Sequence, residues 1–164
     1  GEVGFVFQNP DHQIFANTVL DEAAFGPRNA GLPDPDVAAR AGRALERVGL
    51  GDVAGLHPLR LGRGDRQRLA VASALAMSPD VLILDEPTVG MDPVLRRSVW
   101  GSLRRLATDG QTVLISTHVM EEARRCDRAV LLRDGEKVAD GTVSALEASS
   151  DGEGLEHYFF RKVH

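Results

Sequence analysis

Apolar residues along the chain follow two rhythms, a short-run rhythm that predicts strands and a three-and-four spacing that predicts helices. Val3 to Phe7 is a β-branched and aromatic run closed by Asn9-Pro10, which reads as a buried strand entering a loop. Thr18 to Phe25 is expected to form a short helix. Asp36 to Leu50, opened by Asp34 and Pro35, carries apolar residues at Val37, Ala41, Ala44, Leu45 and Val48. That spacing predicts an amphipathic helix ending at Gly49 or Gly51. Leu61-Gly62-Arg63-Gly64-Asp65 reads as a tight turn that leads into a helical run from Arg66 to Met77.

After Pro79 the pattern alternates. Strands are expected at Val81 to Leu84, Thr112 to Ser116, Ala129 to Leu132 and Lys137 to Ala139, with helices at Pro93 to Ala107, Met120 to Arg125 and about Val143 to Ala148. Asp92-Pro93 is a helix start, since aspartate caps and proline fits the first helical position. Asp134-Gly135 is a hairpin signal. The alternation implies an α/β fold, a mostly parallel sheet covered by helices. The polar, then aromatic, segment from Ser149 is left unassigned.

Composition narrows the picture without naming a function. The 164 residues are 43% hydrophobic and 26% charged, with a formal net charge of −5, as expected for one folded domain or a large piece of one. The longest apolar stretches fall well short of the roughly 18 residues needed to cross a bilayer. Neither a signal nor a transit peptide is visible, and Cys126 alone cannot form an internal disulfide, so a reducing cytoplasm is the expected setting. With 24 acidic against 19 basic residues, there is no general reason to expect nucleic acid as a partner.

The segment that carries chemistry is Val81-Leu82-Ile83-Leu84-Asp85-Glu86-Pro87, an apolar strand delivering two carboxylates at its carboxyl end, where open α/β sheets bind ligands. An aspartate there can hold Mg²⁺ on nucleotide phosphates, and an adjacent glutamate can orient and deprotonate a water. Taken alone, the same acids could simply cap a strand in solvent. Four other features accompany them in order: Gln8 after the first strand, Gly62 and Gly64 before a helix, Met91-Asp92 in a turn, and His118 after Ser116-Thr117.

In this order the motifs resemble those of the ATP-binding cassette ATPases: a glutamine loop, a signature turn, an aspartate-glutamate strand, an aspartate loop and a switch histidine. The resemblance covers residues 1 to about 148 and implies a P-loop NTPase-like sheet with helices on both faces. It further implies a helical subdomain inserted at about 11–78, a catalytic α/β part at 1–10 and 79–148, and a tail at 149–164. The family's roles, carried over by position, make Glu86 the base, Asp85 the metal anchor and Gln8 a residue reaching both Mg²⁺ and the attacking water. They make His118 the γ-phosphate contact and Asp92 the residue that couples two sites across a dimer. Outside that resemblance, Gln8 and His118 would each read as ordinary polar residues at strand ends.

The signature turn departs from the family's usual Leu-Ser-Gly-Gly-Gln. Gly62 removes the serine hydroxyl, and Asp65 replaces the glutamine. Arg63 is expected to compensate, because a guanidinium offers charge-assisted bonds to phosphate of about 1.5–3 kcal/mol, against about 1 for a neutral hydroxyl. The competing reading makes Arg60, Arg63, Arg66 and Arg68 a solvated basic face. Neither Lys137 nor Lys162 follows a glycine, so the phosphate-cradling G-x-x-x-x-G-K-[ST] loop is not found. In the family that loop precedes the glutamine loop, so the chain is expected to resemble a cassette without its front third, one that does not bind ATP tightly by itself.

About fifty residues separate Gln8 from Gly62, too few for the long coiled coils of chromosome-maintenance cassettes. Phe7-Gln8-Asn9-Pro10-Asp11-His12-Gln13-Ile14-Phe15 and Ala24-Phe25-Gly26-Pro27 are most similar to the ATP-binding subunits of energy-coupling-factor importers for vitamins, cobalt or nickel. The expected partners are transmembrane transporter subunits and a second ATPase subunit, like or unlike, at the inner face of the cell membrane. Drug-export cassettes, a soluble cassette and a non-catalytic remnant are the alternatives.

Overall fold

A computed structural model describes residues 3–149, and the tail expected beyond them lies outside the described residues. The chain divides after Ser116 into two compact units. In the first, β1 (Val3–Val6), β2 (Val81–Asp85) and β3 (Thr112–Ser116) form a parallel sheet in that spatial order. Val6 is opposite Leu84, and Asp85 is opposite Ser116. Between β1 and β2 run a short 3-10 turn (Pro10–His12), then α1 (Val19–Asn29), α2 (Asp34–Val48) and α3 (Arg63–Ala76); α4 (Pro93–Thr108) connects β2 to β3.

The core follows from the spacing. Val37, Ala41, Ala44, Leu45 and Val48 are all buried on one face of α2, which ends at Gly49 with φ 76°, a left-handed conformation that glycine adopts without a Cβ penalty. Leu69, Ala70 and Ala72 of α3 pack into the same core as Leu82 and Leu84 of β2 and Val99, Leu103 and Leu106 of α4.

Two helix boundaries differ from expectation. α1 continues to Asn29, past Phe25, with Pro27 inside it; the Ala30 N–H bonds to Gly26 O, so the last turn closes despite the missing proline donor. Its first N–H groups are satisfied by a neighbouring loop, Val19 N donating to Leu56 O and Leu20 N to Ala54 O. α3 begins at Arg63 rather than Arg66, so Arg63, Gly64 and Asp65 are its first turn and Gly62 its N-cap. Gly64 in that turn sits at a close contact: a Cβ built there would overlap the Leu95 side chain, so α3 and α4 approach more closely than any other residue permits.

The second unit holds α5 (Met120–Ala123), β4 (Arg128–Arg133), β5 (Glu136–Thr142) and α6 (Val143–Ala148). β4 and β5 form an antiparallel hairpin turning at Asp134 and Gly135, both with positive φ. β5 is longer than the expected Lys137 to Ala139. Its Asp140 bonds Lys137 Nζ at 3.2 Å and Arg128 Nε at 3.0 Å, and the neighbouring lysine and arginine hold its carboxyl below the usual carboxylate range.

Candidate functional site

β2 is driven into the sheet by Leu82 and Leu84, both fully buried, so the chain emerges from the sheet at Asp85 and Glu86. The parallel register sets Ser116 beside Asp85, and Ser116 Oγ donates to Asp85 Oδ1 at 2.5 Å. That bond fixes one carboxylate oxygen. Glu86 N donates to Ser116 O at 3.0 Å, extending the ladder one residue. Glu86 then takes φ 41°, a left-handed conformation that costs a non-glycine residue about 1–2 kcal/mol. Strain of this kind gathers where a side chain must be aimed. Buried Pro87 and Thr88 hold the turn that follows, with Met91 N donating to Thr88 O at 3.2 Å.

Gln8, just beyond β1, donates from Nε2 to Glu86 Oε2 at 3.3 Å. The sheet therefore brings Gln8, Asp85 and Glu86 to one edge, together with Ser116, which sequence reasoning did not single out. Its signal was a polar residue ending an apolar run, meaningful only once the register pairs it with Asp85. His118 belongs to the second unit, where it is exposed and adjoins Thr117, whose Oγ1 donates to buried Glu122 at 2.8 Å.

Asp92 caps α4, accepting from Val94 N at 2.9 Å and Leu95 N at 3.0 Å. Replacing it with alanine is expected to destabilise the fold by about 1 kcal/mol, read as a lower midpoint in urea, with Asp92→Asn retaining most of the stability. The signature residues sit close by. Leu61 is buried, and a Cβ built on Gly90, whose φ is 69°, would come 2.9 Å from Arg63 Nη1. The Arg63 guanidinium thus lies over the glycine of the turn that leads to Asp92.

The basic face read from the sequence is corrected in part. The Arg66 and Arg68 side chains are each only 20% exposed; Arg66 pairs with Asp11, and Arg68 with Asp65. The acid at position 65 is thereby neutralised locally, and it also sits in the first turn of α3, where negative charge is favoured. Arg60 and Arg63 remain exposed.

The donor set suits one kind of ion. Asp85 and Glu86 carboxylates beside the Gln8 amide offer oxygen ligands, the preference of Mg²⁺. No group of three or more histidine, cysteine, aspartate or glutamate side chains able to hold a metal occurs among the described residues. Magnesium is commonly held by one or two carboxylates together with water and phosphate oxygens.

Comparison with known proteins places the chain in a family. A family model described as ABC transporter matches residues 1–89. The energy-coupling factor transporter ATP-binding protein EcfA of Methanothermobacter thermautotrophicus is 42% identical over 153 residues, covering 93% of this chain and 49% of that protein. EcfA1 of Symbiobacterium thermophilum is 45% identical over 150 residues, covering 91% of this chain and 52% of its own. The chain thus spans about half the length of these sequence relatives. The structure of cbiO1 from Clostridium perfringens, part of the ABC transporter complex cbiONQ, superposes with a TM-score of 0.85 at 32% identity, covering 99% of this chain and 62% of that one. By family match and by fold, the chain belongs to the ABC transporter family of ATP-binding proteins.

Proposed function

We propose that the chain is part of an ATP-hydrolysing subunit that energises import through an energy-coupling-factor-type transporter of a metal ion or vitamin. The observation that carries this reading is the juxtaposition of Gln8, Asp85 and Glu86 at the carboxyl end of a parallel sheet, with Ser116 fixing Asp85. Relatives named as energy-coupling factor transporter ATP-binding proteins support the same reading.

Asp85 would hold magnesium directly or through water, with Gln8 as an additional oxygen donor. Bound magnesium would neutralise phosphate charge as it develops. Glu86 is the general base, taking a proton from water on its carboxylate; its hydrogen bond from Gln8 sets the direction in which that carboxylate points. The family resemblance gives His118 the role of a γ-phosphate contact. Arg63, at the start of α3, offers its guanidinium and the adjoining helix amides to phosphate on a second ATPase subunit, with Leu61, Gly62, Gly64 and Asp65 shaping that turn. Asp92 links the two sites across the dimer.

The subunit would lie on the inner face of the membrane, docked to a transmembrane subunit. No helix among the described residues is long and apolar enough to cross a membrane. A groove of about 510 Å³ between β1, α1 and α3, lined by Phe5, Phe15, Phe25 and Met77, supports docking of an apolar helix end from that subunit. Phe15 and Phe25 are exposed and pack edge to face at 4.7 Å, and the chain at Phe15 is tied down by its N–H donating to buried Glu22 at 2.9 Å. Gln13 lines the groove and also accepts from Phe7 N, next to Gln8.

The test is hydrolysis by the full-length protein. Turnover is expected with magnesium and is expected to stop when EDTA removes it; undiminished turnover in EDTA would overturn the role given to Asp85, and no turnover under any condition would overturn the motor reading. In the same assay Arg63→Ala is expected to raise KM for ATP, and unchanged kinetics would remove Arg63 from phosphate binding.

A further inference from the structure

The loop that carries Gln8 and the turn that begins α3 meet through one side chain. Arg66 Nε lies 2.7 Å from Asp11 Oδ1, and Arg66 Nη1 donates to Leu61 O at 2.6 Å. Asp11 stands in the 3-10 turn Pro10–His12, where its N–H donates to Asn9 Oδ1 at 3.1 Å, and Asn9 directly follows Gln8. Leu61 directly precedes Gly62, the N-cap of α3, so its carbonyl sets the direction from which Arg63 and Gly64 enter the helix. The Arg66 side chain is 20% exposed and that of Asp11 50%, so the pair is shielded on the arginine side only.

We propose that Arg66 is a positioning residue that couples the glutamine loop to the signature turn, so that movement at Gln8 is passed through Asp11 to the backbone at Leu61, and the reverse. The guanidinium donates a hydrogen bond to Leu61 O and lies against the Asp11 carboxylate as an ion pair, and a lysine ammonium on a flexible stem would hold the two less rigidly. The coupling is contiguous on both sides. Gln8 bonds Glu86 at one end, and the Leu61 carbonyl adjoins the signature glycine at the other. Arg66 acts through these groups rather than on the reacting atoms, and the inference rests on the motor reading given above.

The test is a double-mutant cycle in the full-length protein with ATP as the probe. Arg66→Met and Asp11→Asn are each expected to lower kcat by about 2- to 30-fold, the range of coupling energies such links carry, with KM for ATP nearly unchanged. The double variant is expected to be no slower than the worse single variant, because the two side chains act as one link. Arg66→Lys is expected to recover part of the loss. Additive effects, or unchanged kcat in the single variants, would overturn the proposal. Should Arg66→Met fail to fold, Asp11→Asn decides alone, since it leaves the bond to Leu61 O in place, and an unchanged kcat there overturns the proposal. Absence of turnover in the unaltered protein overturns both this inference and the motor reading; intact turnover in both variants overturns this inference alone.

Discussion

Replacing Glu86 with glutamine in the full-length protein is expected to lower ATP turnover by roughly 10²- to 10⁴-fold, the usual contribution of a general base, while leaving ATP binding in place. The substitution preserves volume, and the left-handed backbone at position 86 is no harder for glutamine than for glutamate. It removes the negative charge and with it the capacity to accept a proton. The Gln8 amide can still donate to the remaining carbonyl oxygen, so the loop keeps its partner. Parallel measurement of turnover and of equilibrium ATP binding checks the expectation. Undiminished turnover would overturn the assignment of Glu86 as base, and loss of both together would mean that Glu86 serves binding rather than chemistry.

Gly64→Ala has the second large expected effect, this time on stability, and its sign separates two physical accounts. Helix propensity alone favours alanine over glycine by about 1 kcal/mol in a helix interior. Packing opposes it. An alanine Cβ at position 64 would overlap Leu95 Cδ1 and come within 2.6 Å of Leu95 Cγ, so the whole isobutyl group must move, not only its tip. Overpacking of this kind typically destabilises by about 1–3 kcal/mol, so the net is expected to be a loss. Denaturant midpoints for Gly64→Ala, Leu95→Ala and the double variant check it. Truncating Leu95 is expected to recover part of the loss, and a midpoint that rises in Gly64→Ala alone would mean that α3 slides to make room.

Such close approaches also explain where the sequence was readable and where it was not. α2 was legible nearly to the residue because its burial pattern and its glycine stop are both local. The start of α3 was not, because Gly-Arg-Gly favours a turn by propensity, and the contact that requires glycine at position 64, with Leu95 of α4, lies more than thirty positions away. At the site, Gln8, Asp85 and Glu86 were each legible as residues at a strand's end, a local property, and the parallel register of β1 and β2 brings them together. Ser116 escaped notice because its partner is set by register. Arg66 and Arg68 were indistinguishable from Arg60 and Arg63 in the sequence, since charge spacing carries no information about which guanidinium finds a carboxylate.

The backbone at position 86 has an implication for evolution and engineering. A residue whose conformation only glycine adopts comfortably is a standing invitation to glycine, and Glu86→Gly would relieve about 1–2 kcal/mol of local strain while deleting the carboxylate. With Glu86 as the proposed base, selection for heat resistance alone would drive this site toward an inert protein, and only selection that rewards catalysis would keep the acid there.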